Sequence, residues 1–132
     1  MKLLADTSAL LALVWRNDRN HDAATGFVRA HPHARFLLTE LILSEVATRL
    51  RARSSADRAA GVVGSLLESR RYDLVFVDIG VLRGALDRMR RFDDKRLSLT
   101  DCASFEVMDR LGVETAFTFD RDFRDCGFRM MP

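Results

Sequence analysis

The amino-acid sequence predicts an α/β fold built around a mostly parallel sheet. Short apolar runs that suit buried strands alternate with longer stretches that show helical spacing or capping signals. No linker, internal repeat or low-complexity segment interrupts this alternation. The chain has 132 residues, of which 48% are hydrophobic, which is enough for one sizeable core. We therefore expect residues 1–132 to form a single domain.

The first half of the chain contains two predicted strands and three predicted helices. Residues 3–5 form an apolar run that ends at Asp6, and residues 35–39 form a second strand-like run. A helix over residues 40–53 is predicted because its apolar residues keep helical spacing, at Leu41, Ile42, Val46 and Leu50. The other two helices are predicted over residues 8–16 and 22–30.

The second half continues the alternation. Residues 54–57 resemble a capping box, which predicts a helix from Ser54 to about Arg70. A strand over residues 74–77 follows, and Gly112 ends a later helix. The remaining predicted elements are helices over residues 79–92 and 98–111, a strand over residues 115–119 and an edge strand over residues 128–131.

The charged residues are unusual in kind rather than in sum. The 21 basic and 19 acidic residues leave a net charge of +2, too small to indicate a nucleic-acid-binding protein. Nearly all basic residues are arginine, which suits bidentate phosphate contacts, and most acids are aspartate, a short ligand for hard metal ions. A GC-rich genome would favour arginine as well.

Cysteine usage and hydropathy predict a soluble cytoplasmic protein with reduced thiols. Cys102 and Cys126 form neither a disulfide framework nor a metal-binding motif. The longest apolar run, residues 9–15, is too short to cross a membrane. Asp6 interrupts the N-terminal stretch that would otherwise resemble a signal peptide.

Two predicted strands end in an acid that is followed at once by a turn or a helix. These acids are Asp6 and Asp120. Ligands bind beyond the carboxyl ends of the strands in open parallel sheets, so both are candidate site residues. The alternative is that each acid caps a helix, and for Asp6 it is weakened because Thr7 and Ser8 offer caps of their own. Asp122 is expected to cap the turn that follows Asp120.

Two further acids lie on the apolar side of predicted helices. Glu45 borders the apolar stripe of its helix, and an ion pair with Arg49 on the helix surface is the alternative. Asp101 shares a face with Phe105, and the alternative is a capping box with Ser98. Either acid alone has an ordinary structural explanation.

Together the four acids predict a metal site. Four carboxylates at one sheet edge repel one another, and a cation would neutralise them. Oxygen ligands without cysteine or histidine suit Mg²⁺ or Mn²⁺, which activate a bound water. The sequence contains no nucleophile-elbow motif and no glycine-rich phosphate loop. The three histidines are expected on the surface, away from strand ends.

Four segments then follow one another in a characteristic order: Asp-Thr-Ser-Ala-Leu at residues 6–10, Ser-Glu-Val at 44–46, Leu-Thr-Asp-Cys-Ala-Ser at 99–104 and Thr-Phe-Asp-Arg-Asp-Phe at 118–123. In these segments the chain resembles the PIN-domain family, and most of all the VapC-type toxins of bacterial toxin–antitoxin pairs. The resemblance extends from Lys2 to about Phe128.

The resemblance implies a three-layer α/β/α sandwich and an endoribonuclease that depends on Mg²⁺ or Mn²⁺. By position it implies an acidic pocket, with Asp6 and Asp101 as the foremost metal ligands, and polar residues that orient the acids at Ser8 and Thr118. The four acids of that pocket are Asp6, Glu45, Asp101 and Asp120. Asp122 is a possible substitute for Asp120. The resemblance further implies a homodimer, an RNA substrate and a cognate DNA-binding antitoxin of the VapB type, and no membrane partner.

Arginines and one tryptophan are candidates for contacts with the RNA or a partner. Arginines between residues 49 and 58, or between residues 88 and 91, would hold the RNA backbone, and a solvated helix face is an equally simple interpretation. Trp15 is expected mainly in the core, with a dimer or antitoxin surface as the alternative.

Two other protein classes remain as alternatives. A phospho-receiver domain also places acids at strand ends, and Asp78 follows a predicted strand. Receivers, however, need paired acids after the first strand and a late lysine, whereas the last lysine here is Lys95. The second alternative is a non-catalytic PIN-like module that binds nucleic acid or protein.

Overall fold

Five parallel strands form the centre of the molecule in a computed structural model that describes residues 1–132. The spatial order of the strands is β3-β2-β1-β4-β5, and every neighbouring pair is parallel. In chain order they are β1 (Lys2–Ala5), β2 (Arg35–Thr39), β3 (Tyr72–Val75), β4 (Thr115–Phe117) and β5 (Arg129–Met131). The predicted α/β fold with a parallel sheet is confirmed.

Seven helices accompany the sheet and complete the three-layer sandwich. They are α1 (Thr7–Val14), α2 (His21–Ala30), α3 (Glu40–Arg53), α4 (Ala56–Glu68), α5 (Ile79–Arg91), α6 (Leu99–Leu111) and α7 (Asp122–Asp125). None of them has both the length and the apolar composition that crossing a bilayer requires. The short α7 was not predicted, because its four residues carry no helical periodicity of their own.

The position of β1 in the middle of the sheet explains why its sequence is a short, continuous apolar run. Leu3, Leu4 and Ala5 of β1 are fully buried because strands and helix layers surround them on every side. Aromatic side chains fill the space around the sheet, with the rings of Phe36 and Phe117 5.4 Å apart between their centroids. Since all the strands are parallel, their carboxyl ends open at one edge, and β1 brings Asp6 to the middle of that edge.

Two strands end earlier than the apolar pattern predicts. The prediction of residues 74–77 for β3 is wrong by two residues, because the backbone N–H of Val77 donates to both carboxylate oxygens of Glu40, at 2.8 and 3.0 Å, instead of joining the sheet. Phe76 is consequently 71% exposed. The strand over residues 115–119 ends at Phe117, and the N–H of Phe119 donates to the hydroxyl of Ser8.

Helix starts also differ from the sequence prediction at two places. Ser55 caps α4 through the N–H of Arg58, so the predicted capping box beginning at Ser54 is wrong by one residue. Asp6 itself caps α1, which is the alternative left open for this acid, and neither Thr7 nor Ser8 takes the cap position. The predicted cap at Asp78 forms and begins α5.

A buried charge cluster fastens α6 to α5. Arg88 is 8% exposed and donates to Glu106 at 2.8 Å and to Asp109. Glu106 occupies the space beside Gly84, where a Cβ would lie 2.5 Å from its carboxylate. The Glu106 carboxylate can occupy this position only because residue 84 is a glycine, and its ion pair with Arg88 links α6, which carries Asp101, to α5.

Candidate active site

A small polar cavity lies beyond the carboxyl ends of the central strands. Its volume is about 240 Å³, and no hydrophobic residue lines it. All four predicted acids reach it, although they come from four separate parts of the chain. The lining residues are Asp6, Thr7, Ser8, Glu45, Arg49, Arg96, Ser98, Asp101 and Asp120. We call this space the acidic cavity.

Asp6 is the most buried acid of the acidic cavity, with 5% of its surface exposed. Its Oδ2 accepts hydrogen bonds from the hydroxyls of Ser8 and Thr118, at 2.8 and 2.9 Å, and from the N–H of Ser8 at 3.4 Å. Burial raises the pKa of Asp6, and the hydrogen bonds from Ser8 and Thr118 oppose that rise. Asp6 therefore serves as a helix cap and as a site carboxylate at once.

Glu45 is held at the acidic cavity by α1 rather than by its own helix. The hydroxyl of Thr7 donates to Glu45 Oε1 at 2.7 Å. Arg49, one turn farther along α3, lines the same cavity but makes no ion pair with Glu45, so the alternative interpretation of Glu45 as half of a surface ion pair is not supported. Because Asp6 caps α1, the Thr7 hydroxyl is left to orient Glu45.

Asp101 combines both of the roles that the sequence allows. Its Oδ2 accepts from the N–H of Ser98 at 3.2 Å, its own N–H donates to the Ser98 hydroxyl at 3.0 Å, and the capping box is complete. The side chain also faces the acidic cavity. Burial, with smaller contributions from Asp6 and Asp120, raises the pKa of Asp101 to about 6.

Asp120 lines the acidic cavity, and Asp122 lies beside it without lining the cavity. Carboxylate oxygens of Asp101, Asp120 and Asp122 lie within 4.8 Å of one another. The N–H of Asp122 donates to Asp120 Oδ1 at 2.9 Å, which fixes the two residues relative to each other. Burial, Asp120 and Asp125 raise the pKa of Asp122. Asp122 thus joins Asp120 in the cluster instead of replacing it.

The donor set fits a hard divalent cation. The cluster offers only carboxylate oxygens, and neither a cysteine nor a histidine lines the acidic cavity. Mg²⁺ and Mn²⁺ favour such ligands. Burial and, to a smaller extent, Asp6 and Asp120 raise the pKa of Asp101 and so disfavour its charge, and a bound cation would favour that charge.

Sequence analysis missed Arg96 at the rim of the acidic cavity. Its backbone φ is +52°, a left-handed conformation that costs a non-glycine residue roughly 1–2 kcal/mol. No pattern in the loop before α6 indicates this conformation. Of the arginines proposed from sequence for RNA contact, Arg88 is buried in its ion pairs, so that prediction is wrong for this residue.

The comparisons with known proteins agree with this geometry. The model of the PIN domain matches residues 3–129. The 23S rRNA-specific endonuclease VapC20 of Mycobacterium tuberculosis is 29% identical over 126 residues, which cover 96% of this chain and 95% of that protein. Its crystal structure, described as a sarcin-ricin loop cleaving toxin, superposes with a TM-score of 0.87 at 28% identity, covering 96% of this chain and 95% of that one.

A second solved structure shares the fold alone. VapBC2 from Rickettsia felis, bound to a DNA fragment from its promoter, superposes with a TM-score of 0.72 at 10% identity and covers 98% of this chain and 97% of that one. The family match extends over nearly the whole sequence and includes all four acids of the acidic cavity. This chain belongs to the PIN-domain family.

Proposed function

We propose that this protein is a divalent-metal-dependent endoribonuclease that acts as the toxin of a toxin–antitoxin pair. The observation that carries the proposal is the convergence of Asp6, Glu45, Asp101 and Asp120 in one cavity at the carboxyl edge of the sheet. Similarity to the endonuclease VapC20 along 96% of the chain supports the same chemistry. The phospho-receiver alternative loses its main candidate, because Asp78 is occupied as the cap of α5.

The acids of the cavity would hold Mg²⁺ or Mn²⁺. Asp6, Glu45, Asp101 and Asp120 are the proposed ligand set, with Asp122 beside them. When bound, such an ion supplies an activated water and stabilises charge that develops on the phosphate.

The remaining polar residues act on the acids. Ser8 and Thr118 hold the Asp6 carboxylate in one orientation, and Thr7 does the same for Glu45. Arg49 and Arg96 stand at the cavity without a carboxylate partner, where they are available for the phosphate oxygens of a substrate. Orientation by fixed hydrogen bonds lets the cluster meet the phosphate without rearranging.

For the substrate we propose ribosomal RNA, by analogy with the activity for which VapC20 is named. For the partners we propose a second copy of this chain and a DNA-binding antitoxin, as the VapC resemblance implies. VapBC2 of Rickettsia felis bound to promoter DNA is a solved assembly of that kind. We place the protein in the cytoplasm, where ribosomes and antitoxin are present.

The test incubates purified protein with ribosomes and, separately, with total RNA, in Mg²⁺, Mn²⁺ or EDTA. An Asp6→Asn variant keeps an oxygen for the α1 cap but loses the charge, and Asp87→Asn removes a charge that is 77% exposed on α5. We expect metal-dependent cleavage that is lost in the first variant and kept in the second. Equal cleavage by both variants would refute the assignment. RNA binding without cleavage would favour the non-catalytic module.

A further inference from the structure

A second and larger cavity lies at the C-terminal end of α1. It has a volume of about 750 Å³, and we call it the Trp15 cavity after the aromatic residue in its wall. Three arginines and one acid supply its charge, from the loop after α1 and from the junction of α3 with α4. They are Arg16, Arg53, Arg58 and Asp18. The catalytic proposal uses none of these residues.

The arginines of the Trp15 cavity are exposed and have no anionic partners, and two of them contact neighbouring groups of the cavity wall. The Arg53 guanidinium lies 4.4 Å from the centroid of the Trp15 ring, and Arg58 donates to the carbonyl of Val14 at 3.4 Å. No carboxylate pairs with Arg16, Arg53 or Arg58. Asp18 is engaged in its own turn through the N–H of Asn20. The cavity is therefore a preformed positive site with an aromatic wall.

Two neighbouring helices connect this cavity to the acidic cavity. Thr7 and Glu45 are hydrogen-bonded at the acidic cavity, and Trp15 and Arg53 stack at the other. Trp15 lies eight residues after Thr7, directly after α1, and Arg53 lies eight residues after Glu45 on α3. Eight residues of helix span about 12 Å. Arg49 lies halfway along α3 and lines the acidic cavity. Arg49 therefore places a positive charge between the two cavities.

We propose that the Trp15 cavity binds a nucleotide of the single-stranded RNA that flanks the cleaved bond. Arg16 and Arg58 would contact phosphate oxygens, and the Arg53 guanidinium, 4.4 Å over the Trp15 ring, would offer a planar surface on which a base stacks. The inference rests on the proposed nuclease function and adds a substrate subsite to it. An acidic protein segment would need only the positive charge of the Trp15 cavity. The planar surface for a base and the connection to the acidic cavity therefore favour RNA as the ligand.

The chain provides its own probe, because Trp15 is its only tryptophan. Titration with a long oligouridylate in EDTA separates binding from cleavage, and we expect saturable quenching of Trp15 fluorescence. Arg53→Gln should weaken this binding by about tenfold, the scale of one lost stacking contact. Arg53→Lys keeps the charge but not the plane and should fall between wild type and Arg53→Gln. Arg83→Gln makes the same charge change at an exposed residue of α5 that lines neither cavity, and its affinity should stay unchanged.

Circular dichroism of Arg53→Gln, with its thermal unfolding, establishes that the variant is folded before its affinity is interpreted. Equal affinities of Arg53→Gln and Arg83→Gln, with cleavage by wild type intact, would overturn the subsite and leave the nuclease standing. Wild type that neither binds nor cleaves RNA would overturn both. Equal weakening of poly-glutamate binding by Arg53→Gln would also overturn the inference, because it would indicate a site for acidic protein segments.

Discussion

Replacing Asp101 with asparagine should stabilise the protein when no metal is present. The carboxylate of Asp101 shares the acidic cavity with other acids, and burial, Asp6 and Asp120 raise its pKa from 3.8 to about 6. A folded-state pKa above the unfolded value means that the folded protein binds the proton more tightly. The associated stability is fully present below about pH 4 and is lost as the pH rises through 6.

The size of the effect follows from that shift. About two pKa units correspond to roughly 3 kcal/mol at neutral pH, since each unit is worth about 1.4 kcal/mol. Solvent screening of this partly exposed side chain reduces that figure. Asparagine also lacks the charge that favours the first turn of α6, worth about 0.3–1 kcal/mol. We therefore expect a gain of about 1–2 kcal/mol, or roughly 4–8 °C in Tm for a domain of this size.

Thermal unfolding from pH 4 to pH 8 in EDTA, compared between wild type and Asp101→Asn, measures the effect. The difference in Tm should be near zero at pH 4 and should reach its full value by pH 7, because Asp6 and Asp122 titrate in both proteins. Added Mg²⁺ should raise the Tm of wild type more than that of the variant. The matched control is Asp87→Asn, which makes the same chemical change on the exposed surface of α5. A pH-independent difference, or a less stable variant at pH 7, would refute the reasoning.

Three further predictions concern the packing around the site. Gly84→Ala should lower the free energy of unfolding by about 1–3 kcal/mol because its Cβ meets Glu106 at 2.5 Å. Gly61→Ala, in open space on α4, should raise it by about 0.5–1 kcal/mol, and chemical denaturation measures both changes. Arg88→Leu should lower the free energy of unfolding by about 3 kcal/mol because the Glu106 carboxylate loses its buried partner. A loss below about 1 kcal/mol would contradict this. Thr118→Val should lower the kcat of RNA cleavage by about tenfold or more while the fold persists, because the Asp6 carboxylate loses the hydrogen bond that orients it. An unchanged kcat would contradict this.

The sequence predicts most of the fold because its signals are local. Buried parallel strands need continuous apolar runs, and the helices show their own spacing and caps. The end of β3 could not be predicted in this way, because it depends on Glu40, which is 37 residues from Val77. Such a distant hydrogen bond leaves no mark in the local pattern.

The candidate site was predictable in composition but less so in its arrangement. Strand ends and inward helix faces point to Asp6, Glu45, Asp101 and Asp120 without any structure. The arrangement depends on which of several short side chains takes each hydrogen bond, and the sequence does not decide between them. Asp6 rather than Ser8 caps α1, for example, and this choice turns the hydroxyls of Ser8 and Thr118 toward its carboxylate.

The position of β1 in the middle of the sheet has a consequence for synthesis on the ribosome. Its partner β4 and Asp120 are made long after β1, and the hydrogen bond from Thr118 to Asp6 spans 112 residues. Contacts this distant in sequence form late in folding. A nascent chain therefore holds only part of the carboxylate cluster until residue 120 has emerged, and its acidic cavity cannot exist before that point.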